Sequence, residues 1–310
     1  MNPRNGSLRP EVAETGRHSR TGFLLGLGAY ALWGVLPIYF KAIADVAAVD
    51  IVAHRVLWSL PFLAILIAVS RGWQKVRAAA ADRKTLGILC ITALLIGGNW
   101  LLYVYAVTSG RILASSFGYY LNPLANVLLG RFVLKEKLGR LQWIAVGVAA
   151  AGISVFAAGA LGQLWISLSL CASFALYGLL RKVVKADALT GLGIETGLLF
   201  PLAIGWLGWR FGAGAPVLGS SSMDAGLLLA AGIVSTTPLI LFTAAARRLA
   251  YSTLGMLQFL APTLQFLIGV WYGEPLKTAH FIAFPAIWLA LALYVTALTR
   301  QARASVTPPE

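Results

Sequence analysis

Three ionisable side chains stand inside otherwise apolar stretches of this chain: His54, Arg55 and Glu195. A charge near the centre of a bilayer costs about 2.5–3.5 kcal/mol on insertion scales, so each needs a partner, water or a task. The opposite charges of Arg55 and Glu195 suit gates, and His54 beside Arg55 suits a proton site. Each also has a structural reading. Arg55 snorkels or pairs with Asp50 or Glu274; Glu195 pairs with a basic residue such as Arg181 or Arg248; His54 hydrogen-bonds within the packing. A second, uncharged set is spaced for helix faces. Asn99 and Tyr103 are four apart, as are Asn122 and Asn126, and Gln258 and Gln265 are seven apart around Pro262. A proline frees a backbone carbonyl, which must find a partner or line a cavity. Asn122-Pro123 and the segment around Pro262 are therefore candidate walls of a polar cavity. Trp33, Trp58, Trp100, Tyr103, Tyr119 and Tyr177 either complete those walls or belong to interfacial belts and helix packing.

This chemistry is recognition and gating rather than bond making. The chain holds no H-E-x-x-H, no G-x-x-x-x-G-K-[ST] and no G-x-S-x-G. His18, His54 and His280 are scattered, and neither Cys90 nor Cys171 belongs to a C-x-x-C pair. No metal, cofactor or ATP site is expected, and the chain is not read as an enzyme. Two other classes compete with a transporter. One is a membrane-embedded enzyme or lipid-modifying protein using His54 and Glu195; the other is a non-transporting scaffold or sensor.

The elements that must position these residues are apolar throughout. The 310-residue chain is 59% hydrophobic and 12% charged, with mean hydropathy +0.79; a soluble domain carries about 25% charged residues. Ten stretches of helix-spanning length occupy residues 21–40, 49–70, 85–107, 112–134, 141–159, 161–180, 190–209, 225–246, 252–272 and 278–299. Residues 1–20 and 300–310 read as disordered tails. The net charge of +14 sits mostly at span ends, facing anionic headgroups rather than nucleic acid. With both termini cytoplasmic, 20 of the 24 Lys and Arg in loops and tails fall on the cytoplasmic side.

The stretches form two copies of one pattern. Ala106, Pro123 and Gly130 recur as Ala245, Pro262 and Gly269 at an offset of 139, and Pro61 recurs as Pro201 at an offset of 140. The second register also pairs Arg55 with Glu195. Five spans is an odd number, so the second copy enters the membrane inverted. The expected fold is an all-α membrane protein of ten transmembrane helices, two five-helix inverted repeats over residues 21–159 and 161–299. Inverted repeats are the architecture of secondary transporters, whose sites lie between the repeats. The fourth and ninth helices should therefore lie side by side around a cavity, with Asn126 or Gln265 on its wall.

Several segments, in order, resemble one family. They include Ala53-His54-Arg55-Val56-Leu57-Trp58-Ser59, Gly97-Gly98-Asn99-Trp100-Leu101-Leu102-Tyr103 and Gly118-Tyr119-Tyr120-Leu121-Asn122-Pro123-Leu124. Leu141-Gln142-Trp143, Ile194-Glu195-Thr196, Ser252-Thr253-Leu254-Gly255 and Tyr272-Gly273-Glu274 extend the likeness to roughly residues 21–299. Together they resemble the RarD proteins, in the EamA group of the drug/metabolite transporter superfamily. The resemblance implies a ten-helix inner-membrane permease, with both termini inside, for a small organic metabolite or drug-like solute. Its partners would be that solute and the lipid bilayer, with a homodimer left open. One departure is Ala114, where family members often carry an acid that would bear on proton coupling.

Overall fold

The computed structural model describes residues 9–133, 139–246, 248 and 257–304. These residues are helical apart from short connections. The helices are α1 (Arg9–Ala42), α2 (Ala48–Val69), α3 (Trp73–Ala81), α4 (Arg83–Thr108) and α5 (Ile112–Phe132), followed by α6 (Arg140–Val183), α7 (Ala188–Gly212), α8 (Ser222–Ala246), α9 (Leu260–Trp271) and α10 (Thr278–Ala304). Among the described residues, six segments are long and apolar enough to cross a membrane: Arg20–Ala42, Ala48–Val69, Arg83–Thr108, Leu161–Arg181, Ala188–Gly212 and Ser222–Phe242. Exposed Leu24, Ile65, Leu94, Leu202, Phe281 and Leu289 coat the outside of the bundle, a surface suited to lipid rather than water.

Helix α1 begins at Arg9, inside the segment read as a disordered tail. Helix α3 lies in the basic stretch 71–84, which the hydropathy pattern leaves as a loop. Its alanine-rich sequence favours helix, and Ala79 and Val76 pack against Leu89, Val184 and Ile194. Within the span expected at 252–272, residues 252–256 lie outside the described residues, Leu257 is helical, residues 258–259 form a turn, and helix continues from Leu260. Pro262 thus falls in the first turn of α9, where a missing N–H costs nothing.

Helix α6 takes in 44 residues, from Arg140 to Val183. A straight rod of that length would reach about 66 Å. Its contacts show instead that it folds back on itself. In the first part, Gly152 meets Ala283 and Ala286 while Gly159 meets Ala279, so this part runs opposite to α10. In the second part, Trp165 packs against Tyr105 and Asn99 Nδ2 donates to the Leu170 carbonyl, so this part runs opposite to α4. The end of α4 and the start of α10 lie together, because Glu274 binds the start of α5. The two parts of α6 are therefore antiparallel, with the reversal near Gly159 and Gly162. The expected spans 141–159 and 161–180 correspond to these two parts.

Close approaches hold the bundle. Lipid is as apolar as the side chains, so helices associate by fit and small residues mark the contacts. A Cβ on Gly118 would meet the Ser167 carbonyl oxygen at 2.7 Å, and one on Gly232 would collide with the Trp58 backbone. The ring of Phe117 stacks on Phe156 at 4.2 Å and meets Phe284 edge-on, tying α5, α6 and α10 together.

Candidate functional site

Arg55 is 6% exposed, and the residues around it come from three helices. Its guanidinium carbon lies 4.5 Å from the centre of the Trp100 ring on α4. The hydroxyls of Tyr119, Tyr103 and Tyr39 lie within its electrostatic reach. Arg55 Nε and Nη1 and the Tyr103 hydroxyl are buried without hydrogen-bond partners. The Tyr103 and Tyr119 rings are 5.5 Å apart. Asn99 orders this wall: its Nδ2 donates to the Leu170 carbonyl at 3.1 Å and Ser173 Oγ at 2.9 Å, and its Oδ1 accepts from the Tyr119 hydroxyl at 3.2 Å. On α1, Tyr39 donates to the Leu227 carbonyl at 2.6 Å.

The carboxylates weighed as partners of Arg55 are engaged elsewhere. Asp50 accepts from Trp206 Nε1 at 2.6 Å and pairs with Arg210 Nη2 at 2.8 Å. Trp206 and Arg210 are four apart on α7, the spacing that could have signalled a shared face. Glu274 accepts from the Ile112 and Leu113 N–H groups at 2.5 and 2.9 Å, completing the open first turn of α5. Gly273 at φ +76° ends α9 in the left-handed conformation that glycine favours, letting the Glu274 N–H close on the Gly269 carbonyl. Burial pushes the Glu274 carboxyl above its ordinary range, while the two N–H groups and Lys41 pull it down.

Glu195 belongs to a separate cluster. It is fully buried, accepts from Thr92 Oγ1 at 2.7 Å and the Tyr177 hydroxyl at 3.1 Å, and lies 3.7 Å from Arg181 Nη1. It has the Arg181 partner foreseen in its structural reading, and it does not pair with Arg55. His54 has both ring nitrogens engaged. Trp58 Nε1 can only donate, so Nδ1 accepts at 3.3 Å and Nε2–H donates to the Val217 carbonyl at 2.8 Å. That is the neutral tautomer.

The amide set divides. Helices α5 and α9 lie side by side, with Ser116 Oγ donating to the Pro262 carbonyl at 2.7 Å and the Tyr120 hydroxyl 2.5 Å from Thr263 Oγ1. Asn122 is buried with Oδ1 unpartnered. Gln265 Nε2 donates to the Trp33 carbonyl at 3.2 Å, and its Oε1 is unpartnered. Gln258 stands in the turn before α9 and so does not share a helix face with Gln265; Pro262 cannot donate, and the helix starts after Gln258. The side chain of Asn126 and the segment Ser252-Thr253-Leu254-Gly255 lie outside the described residues. Two surface grooves, one beside Lys75, Asp82, Lys185 and Asp187 and one along Pro201, Trp206 and Trp209, include none of the four amides. Ala114 is fully buried in α5, its carbonyl accepting from Ser167 Oγ at 2.7 Å.

A multi-pass helical bundle with polar clusters buried between its helices defines a class of membrane protein, and comparisons with known proteins place it among transporters. Residues 20–158 match the EamA-like transporter family. A Salmonella typhi protein named RarD is 43% identical over 288 residues, 90% of this chain and 96% of that protein. An uncharacterized transporter of Vibrio cholerae is 42% identical, covering 89% of this chain and 92% of its own. A protein of known crystal structure has the same fold at TM-score 0.59 and 19% identity, covering 90% of this chain and 98% of its own. The chain belongs to the RarD family of EamA-like transporters.

Proposed function

We propose that this chain is a secondary transporter that moves a small organic solute across the inner membrane by alternating access. Its ten spans form two inverted five-helix repeats, with both termini cytoplasmic. One observation carries the reading: the most extensive helix pairings are preserved when the halves are exchanged, while smaller ones such as α2 with α4 are not matched. The contacts α2 with α7, α5 with α9, and the first part of α6 with α10 pair each helix with its own counterpart. The contact of α1 with α8 is matched by that of the second part of α6 with α4. In the same way α1 with α9 matches the second part of α6 with α5, and α2 with α8 matches α7 with α4. A pseudo-two-fold of this kind lets each half adopt the other's conformation, which is what alternation of access requires. Arg55 on α2 and Glu195 on α7 occupy positions paired by the repeat register, so opposite charges sit on equivalent helices although their neighbours differ.

The test is uptake of a panel of radiolabelled amino acids, other metabolites and neutral drug-like solutes by the purified chain in liposomes. Saturable accumulation of at least one solute is expected. Flux equal to that of empty liposomes for the whole panel would count against transport and favour a scaffold or sensor.

A further inference from the structure

We propose that the Arg55 cluster binds the carboxylate of an organic acid, so that the transported solute carries an anionic carboxylate on an apolar or aromatic body. This deepens the transporter reading and rests on it. Among the described residues Arg55 is a buried cation without a counter-ion. Among the described residues of the spans, Asp50 is held by Arg210 and Trp206, Glu195 by Arg181, Thr92 and Tyr177, and Asp224 by Ser220 and Ser221. Glu274, the loop carboxylate considered as its partner, is spent on the N–H groups of α5.

What surrounds Arg55 is aromatic. The Trp100 face at 4.5 Å offsets only part of the cost of burying a guanidinium. Arg55 Nε and Nη1 and the Tyr103 hydroxyl are donors with nothing to bind. The structural arginines Arg210 and Arg181 each keep one unpartnered nitrogen but stand against a carboxylate, Asp50 and Glu195 respectively, whereas Arg55 has two unpartnered nitrogens and no carboxylate among the described residues. Unused donors converging on one place are suited to an acceptor that arrives from outside, and a guanidinium matches a carboxylate in shape and charge. Tyr103, Tyr119 and Trp100 offer apolar faces to the rest of the molecule, and Asn99 holds Tyr119 in place through its hydroxyl. Glu195, at the repeat-equivalent position, already has its counter-ion in the protein. The two equivalent charges are thus unequal, and only Arg55 requires a ligand.

The experiment uses the purified full chain in nanodiscs and a panel of aromatic and aliphatic monocarboxylates, each beside its neutral primary amide. Thermal unfolding and tryptophan fluorescence are read against concentration. At least one acid should raise the unfolding temperature saturably, while its amide does so at least about 30-fold more weakly. Arg55→Gln should abolish the response to the acid, and Arg55→Lys should keep part of it. The ligand-free unfolding temperature of Arg55→Gln should equal or exceed that of the wild type, because an unpaired buried charge has been removed. Equal response to acid and amide, no response to any acid, a full response in Arg55→Gln, or a marked fall in its ligand-free unfolding temperature would each overturn the proposal. Binding of an acid without uptake into liposomes would count against transport and leave the carboxylate site standing. Saturable uptake confined to neutral solutes would do the reverse.

Discussion

Arg181 reaches Glu195 only because residue 191 has no side chain. A Cβ on Gly191 would collide with the Arg181 guanidinium, and Gly191 and Glu195 share one face of α7 at a spacing of four. The colliding atoms are the far end of a flexible side chain, so Gly191→Ala should displace Arg181 without unfolding the bundle. Glu195 would keep Thr92 and Tyr177 and lose its counter-ion. Arg181→Ala should destabilise by about 3 kcal/mol, since breaking a buried pair leaves a charge unmatched. Adding Glu195→Gln to Arg181→Ala should recover most of that loss. Thermal unfolding of the single and double variants in detergent checks both statements; additive losses would mean that the pair is not coupled. His54 teaches the same lesson about residues. Its type suggested a proton site, but its two hydrogen bonds are those of a neutral ring in a packed joint.

At the scale of elements, carboxylates close the open ends of helices across the connections. Glu274, on the turn after α9, caps α5, so Glu274→Gln should cost about 1 kcal/mol, the usual value of a helix cap, read as a lower unfolding temperature. Asp187 caps α7 through Thr190 and pairs with Lys75 of α3 at 3.3 Å. Burial alone would raise its carboxyl, but the Thr190 N–H and Lys75 hold it below the ordinary value of 3.8. Because the folded value is the lower one, its stabilisation is complete above that ordinary value and is lost as pH falls through the folded one. The gap in unfolding temperature between wild type and Asp187→Asn should therefore be constant near neutrality and close in acid. A gap that stays constant through the acid range would refute this role. Helix α3 and the turn at Gln258 were not legible in hydropathy. The first is too polar to register as a span, and the second interrupts a stretch that is apolar on both sides of it.

At the scale of the whole molecule, the repeat and the charge bias make one topological statement. Cysteines placed singly at Gly110 and Gly162, in a background lacking Cys90 and Cys171, should be labelled from the outer face, and one at Lys185 from the cytoplasmic face. A Cβ at Gly162 meets nothing within 4 Å, so the probe should be tolerated. Labelling of Gly162 and Lys185 from the same face would contradict the reversal inside α6, and with it the ten-span arrangement.

The sequence by itself determined that this is a helical membrane protein of the RarD family. Apolar length and composition depend on neither packing nor partners, and the motifs survive as a string of residues. It also marked Arg55, Glu195, Asn99, Tyr103 and Tyr119, because polar groups are conspicuous against an apolar background. Only the tertiary structure decided which of them are satisfied. Asp50 and Glu274 were equally available to Arg55 on the page, and Arg181 and Arg248 were equally available to Glu195. The choice rests on which helices pack together and which side chains can approach within about 4 Å, a distance that sequence separation does not encode. Among the described residues, helix packing left Glu195 neutralised within the protein and Arg55 without a counter-ion.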